Sequence, residues 1–62
     1  MSEEILDGSG HLIGKIYHES DRDRLIDSSG SLAGIYYYDS DETRDSSGSL
    51  VGKGNQLMRC LR

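Results

Sequence analysis

The residues of this 62-residue chain that could carry chemistry are one cysteine, two histidines, eleven carboxylates and four tyrosines. A cysteine acts as nucleophile or ligand only as the thiolate, which needs a base or a cation beside it. Cys60 could meet His11 or His18 only through folding, and a lone cysteine without such a partner is inert. No serine sits in the Gly-x-Ser-x-Gly elbow of a hydrolase. His11 occupies a position that Ser31 and Ser49 take in related segments described below, which marks it as a surface residue. No catalytic residue is assigned, and the chain is expected not to be an enzyme.

The carboxylates suggest calcium next. Asp39, Asp41 and Asp45, or Asp21 and Asp23, could pool oxygens. The EF-hand order of acids, glycine and terminal glutamate is missing, however, and no helical pattern flanks it. Asp7, Asp27 and Asp45 read as turn residues, because an Asp side chain bonds the backbone two residues on. The glycine-rich stretches fail as phosphate loops. Gly8-Ser9-Gly10 with Gly14 has the wrong spacing for a dinucleotide fingerprint, and Gly48 to Lys53 is one residue short of a Walker loop. Both loops also need a strand-to-helix junction. No cofactor and no metal is expected.

The tyrosines are the most informative side chains. Tyr joins a large apolar body to a polar tip and suits interfaces. Alternation sends Tyr37 to one side of a strand and Tyr36 with Tyr38 to the other. Residues 1–54 hold eleven acids and five bases, a net charge of −6, whereas the tail contributes Arg59 and Arg62. Tyr17, Tyr36, Tyr37, Tyr38, Arg59 and Arg62 are therefore the candidate interaction surface. An isoelectric point near 4.8 opposes nonspecific phosphate attraction, so nucleic acid is a disfavoured partner.

These residues are carried by a repeat. Asp7-Gly8-Ser9-Gly10-His11-Leu12-Ile13-Gly14, Asp27-Ser28-Ser29-Gly30-Ser31-Leu32-Ala33-Gly34 and Asp45-Ser46-Ser47-Gly48-Ser49-Leu50-Val51-Gly52 align without gaps. Short runs of Ile, Leu, Val and Tyr flank each copy, so each unit reads as strand, tight turn, strand. The glycine at the fourth place supplies positive φ for a type I turn that closes with a bulge. The fold expected is all-β, an antiparallel meander of three repeated hairpins over about residues 4–18, 24–38 and 43–54. Regular alternation places Leu12, Gly14 and Ile16 on one face, with Leu32, Gly34, Tyr36, Leu50 and Gly52, turned toward a common centre. Ile13, Lys15, Tyr17, Ala33, Ile35, Tyr37, Val51 and Lys53 fall on the other, a half-apolar face suited to a subunit interface. Residues 55–62 break the pattern. Asn55 can cap a short helix with Leu57, Met58 and Leu61 on one side, and the same stretch also alternates as a strand.

The run from Ile5 to Tyr17, followed by Leu25 to Tyr38, resembles the hairpin repeats of β-flower proteins on its Asp-x-x-Gly turn, its Leu and its second Gly. That resemblance covers roughly residues 5–54 and implies a shallow barrel of hairpin petals around a pseudo-symmetry axis, without implying an activity. Three units are present where the four-petal form has one more. The fourth place is empty, filled by the tail, or supplied by another subunit.

Size sets the remaining expectations. A single domain of this length buries only about 60% of its unfolded surface, and small scaffolds need a staple. One cysteine excludes an internal disulfide. Apolar residues make up 34% of the chain, with neither Phe nor Trp, so homo-oligomerisation is the expected source of buried surface. No segment approaches the roughly 18 apolar residues of a membrane span, and the acidic Met1-Ser2-Glu3-Glu4 start is unlike a signal peptide. The cytoplasm is the expected compartment. The function expected is a non-enzymatic oligomeric scaffold or protein-interaction module. The alternative is a small-ligand or carbohydrate-binding module, and the third reading is a nucleic-acid-associated regulator.

Overall fold

The computed structural model describes residues 2–61. Three hairpins form one antiparallel sheet in the order β1-β2-β3-β4-β5-β6. The strands are β1 (Ser2–Leu6), β2 (Leu12–His18), β3 (Arg22–Asp27), β4 (Leu32–Tyr37), β5 (Glu42–Asp45) and β6 (Leu50–Lys53). A single 3-10 turn, Leu57–Cys60, follows them. The sheet is not closed into the expected barrel. After β6 the chain reverses at Gly54, where φ is +76°, and crosses the sheet rather than extending toward β1.

The three hairpin turns share one local geometry. In the first, Asp7 N–H donates to His11 O at 2.9 Å and Gly10 N–H donates to Asp7 O at 3.0 Å. Asp7 Oδ1 accepts from Ser9 N–H, His11 N–H and the Ser9 hydroxyl at 2.8–2.9 Å. Asp27 and Asp45 repeat these bonds. Gly10, Gly30 and Gly48 hold φ of +88°, +90° and +89°, a region that favours glycine. These hydrogen bonds to the ionised form hold all three carboxyls below the usual carboxylate range. For Asp7 the leading donor is the His11 amide, and for Asp27 and Asp45 it is the hydroxyl of Ser29 and Ser47.

Each turn ends in a bulge that alters the expected faces. The register shifts between Ile5 and Leu6, between Leu25 and Ile26, and between Thr43 and Arg44. An extra residue on the returning strand reverses the parity beyond it. Leu12, Leu32 and Leu50 therefore do not share a face with the glycines that follow them. They pair with Leu6, Ile26 and Arg44 and are 40%, 38% and 51% exposed. Of the expected common face Gly14, Ile16, Gly34, Tyr36 and Gly52 stay together and the three leucines leave it, while Ala33, expected on the other face, packs against the core.

One sheet face, face A, carries the cross-strand rows Ile5–Gly14–Asp27, Glu3–Ile16–Leu25–Gly34–Asp45 and His18–Asp23–Tyr36–Thr43–Gly52. The C-terminal tail lies on this face. Ile16, Leu25 and Leu57 are the buried apolar centre, with Ile5, Ala33, Tyr36, Cys60 and Leu61 packed around it. The repeat glycines make room for the tail. A Cβ at Gly14 would lie 3.4 Å from Leu61 Cδ2, one at Gly34 2.6 Å from Cys60 Sγ, and one at Gly52 3.4 Å from Gln56 Cγ. Thr43, fully buried, ties the tail down: its hydroxyl donates to Gly54 O and accepts from Gln56 N–H, both at 2.8 Å. Asn55 Oδ1 accepts from Leu57 N–H at 3.2 Å, so the tail takes the helical alternative in its shortest form. Only Leu57 of the expected apolar side is buried, and Met58 is 51% exposed.

Candidate interaction surface

The opposite face, face B, carries the rows Glu4–Lys15–Ile26–Leu32, Tyr17–Arg24–Ile35–Arg44–Leu50 and Arg22–Tyr37–Glu42–Lys53. No element of the described chain covers it. Two of its tyrosines are held by arginines from neighbouring strands. The Arg22 guanidinium lies 5.2 Å from the Tyr37 ring centroid, and that of Arg24 lies 5.7 Å from the Tyr17 centroid. Such contacts stiffen both partners and are worth about 0.5–1 kcal/mol at exposed sites. Rim carboxylates orient the same arginines. Arg22 pairs with Asp21 at 3.0 Å and Arg24 with Glu19 at 3.1 Å, while Glu42 bridges Arg44 and Lys53 at 3.2 Å each. Lys53 and Arg44 hold the Glu42 carboxyl below its ordinary value, Lys53 more strongly, and Arg22 does the same for Asp21.

Tyr36 and Tyr38 lie apart from Tyr17 and Tyr37, as alternation requires. Their rings pack edge to face at 5.8 Å between centroids, on the tail side of the sheet. There the Tyr36 hydroxyl donates to Asp41 Oδ1 at 2.6 Å, and the Tyr38 hydroxyl donates to Asp23. Asp23 also accepts from His18 Nδ1 at 2.7 Å, and His18 Nε2 faces Glu3 at 3.4 Å. The hydrogen bond to the Asp23 carboxylate pushes the Tyr38 phenol up to about 12 and raises the His18 imidazolium above its ordinary range. Asp23 thus joins His18 and Tyr38 in one network, and Tyr36 pairs separately with Asp41. Among the described residues no group of three or more His, Cys, Asp or Glu is arranged to hold a metal ion.

Cys60 sits over Gly34, and burial, with the Asp45 charge, pushes its thiol up. A raised thiol is the neutral, unreactive form. Arg59 lines a cleft of about 510 Å³ with Asp27, Asp45 and Cys60 and with Leu32 and Leu50, the leucines that follow the second and third turns, and no tyrosine reaches that cleft. Arg62 lies outside the described residues. The six candidate residues thus divide into Tyr17 and Tyr37 on face B, Tyr36 and Tyr38 in the carboxylate network of face A, and Arg59 on the tail.

Arg22, Arg24 and Arg44 escaped the sequence reading of face B. The expected hairpin bounds leave Arg22 between the first and second units, whereas β3 begins at Arg22. Their alternation with Asp23 and Asp45 was the available signal, since strand parity alone separates the two signs. Neither family models, nor curated proteins, nor solved structures match this chain. Among the described residues no helix is long and apolar enough to cross a membrane.

Proposed function

We propose that this protein is a non-enzymatic, self-associating scaffold or protein-interaction module, and that face B is its working surface. The observation that carries this reading is an imbalance in burial. Among the described residues three apolar side chains are buried, Ile16, Leu25 and Leu57, whereas Leu6, Leu12, Leu32, Leu50 and Tyr17 stand exposed together on face B. Burying a Leu contributes about 1.5–3 kcal/mol, so a second surface over these residues contributes on the scale of the whole stability of a small domain. The anchors on this face, Tyr and Arg, are the residue types that dominate interface energetics. The single cysteine, with no partner for an internal disulfide, suits a reducing compartment and supports the cytoplasm as its setting.

Sedimentation velocity tests this reading. The expected result is a weight-average mass that rises above 6.9 kDa with concentration. A constant monomer mass up to about 0.5 mM, a range that reports even millimolar affinities, would refute self-association.

A small-ligand role has one observation in its favour, the 510 Å³ cleft between the second and third hairpins. It falls within the usual size range of ligand sites. A thermal-shift screen of metabolites and a glycan array check it, and silence in both ends that reading.

A further inference from the structure

The two faces of the sheet carry opposite charge. All five Lys and Arg residues of the strands, Lys15, Arg22, Arg24, Arg44 and Lys53, lie on face B. Four of the six strand carboxylates, Glu3, Asp23, Asp27 and Asp45, lie on face A. This sorting is unexpected for a chain of net charge −4. On face B the five bases meet Glu4 and Glu42 on the strands and Glu19 and Asp21 at the rim, which leaves one base in excess. On face A Asp23 and Glu3 meet His18, at 2.7 and 3.4 Å, and Asp27 and Asp45 share the cleft with Arg59.

We propose that copies of this chain stack front to back, with face B of one on the tail-covered face A of the next. The inference rests on the self-association reading above and specifies its geometry. Two observations select it. Face B against face B would set its one uncompensated base against another, and face A against face A would set Glu3, Asp27 and Asp45 against their own copies, whereas front-to-back contact sets opposite signs together. Like-charge juxtaposition costs several kcal/mol at an interface and complementary charge sets the register. Apolar surface also matches: Met58, 51% exposed on the tail, provides a contact for the exposed leucines of face B. A front-to-back contact is heterologous, so it builds a ring or an open stack rather than a two-fold dimer.

Two variants separate this arrangement from its rivals. Arg24→Glu/Arg44→Glu damages face B alone. Glu3→Gln/Asp27→Asn/Asp45→Asn removes three of the four face-A carboxylate charges and leaves the buried Asp23, and the asparagine oxygens keep the turn hydrogen bonds. Each variant alone is expected to weaken association at least about tenfold, and wild-type association is expected to fall steeply between about 0.05 and 0.5 M NaCl. Mixed together, the two variants retain one intact pair of faces and are expected to form a 1:1 heterodimer that neither forms alone. Circular dichroism on each variant confirms that it is folded. Wild-type association that ignores salt and both variants would overturn front-to-back stacking and leave the scaffold reading standing, carried by the leucines. A wild-type protein that stays monomeric ends both. Salt-dependent binding of a labelled oligothymidine by wild type, lost in Arg24→Glu/Arg44→Glu, would instead assign face B to single-stranded nucleic acid and overturn the proposal.

Discussion

A methyl group at Gly34 would lie 2.6 Å from the sulfur of Cys60, so the second repeat's glycine and the tail's cysteine occupy complementary space. Gly14 and Gly52 border the tail less tightly, at 3.4 Å from Leu61 and Gln56, and the close neighbour of Gly14 is the Ile26 carbonyl at 2.9 Å. The glycine that recurs in each hairpin is therefore a seat for the tail, and the repeat is completed by a segment that lies outside it.

Replacing Gly34 by Ala tests this seat. The added carbon would also meet Arg44 O at 3.1 Å, and backbone cannot yield as a side chain does. Overpacking of this kind costs about 1–3 kcal/mol. Urea unfolding should show a clear loss of stability for Gly34→Ala and a much smaller one for Gly52→Ala, where the neighbour is the flexible Gln56 side chain. Adding Cys60→Ala to Gly34→Ala should restore part of the loss.

Thr43 is the second fastening of the tail. Thr43→Val keeps the shape and leaves Gly54 O and Gln56 N–H without their partner. A buried polar group left unsatisfied costs about 1–3 kcal/mol. The midpoint of thermal unfolding should fall, and amide exchange at Gln56 and Leu57 should accelerate more than in the sheet. Unchanged exchange there would show that the hydroxyl does not hold the tail.

The turn carboxylates predict an acid limb. Asp7, Asp27 and Asp45 have folded-state values below their unfolded ones, so their contribution is present above pH about 4 and is lost as pH falls through the folded values. Stability measured by urea should decline below pH 4. Asp27→Asn should preserve the turn and shrink that decline, whereas Asp27→Ala should lower stability even at pH 7, because Ser29 N–H and Ser31 N–H lose their acceptor.

His18 predicts the opposite limb. Its folded-state value is raised first by the hydrogen bond to Asp23 and then by the charges of Asp23 and Glu3. The stabilisation is complete below the unfolded value near 6.5 and disappears as pH rises through the folded value. The groups facing it are Glu3 from β1 and Asp23 from β3, with Tyr38 sharing the Asp23 carboxylate. Unfolding midpoints should drop between about pH 6 and 8 in wild type and lose that slope in His18→Gln.

Much of the architecture was legible in the chain because its determinants are local. Each Asp-x-x-Gly turn closes through bonds that span at most four residues, so Asp7, Asp27 and Asp45 announced three hairpins unaided. Alternation likewise separated Tyr37 from Tyr36 and Tyr38. Tertiary structure decided what lies beyond each bulge. A single extra residue reverses parity, and it moved Leu12, Leu32 and Leu50 from the expected centre to the open face. It also decided that the glycines receive the tail, because the partners of Gly14 and Gly34 lie 47 and 26 residues away along the chain, at Leu61 and Cys60. The sorting of charge has the same origin: Lys15, Arg24 and Arg44 share a face through strand registers that only the assembled ladder specifies.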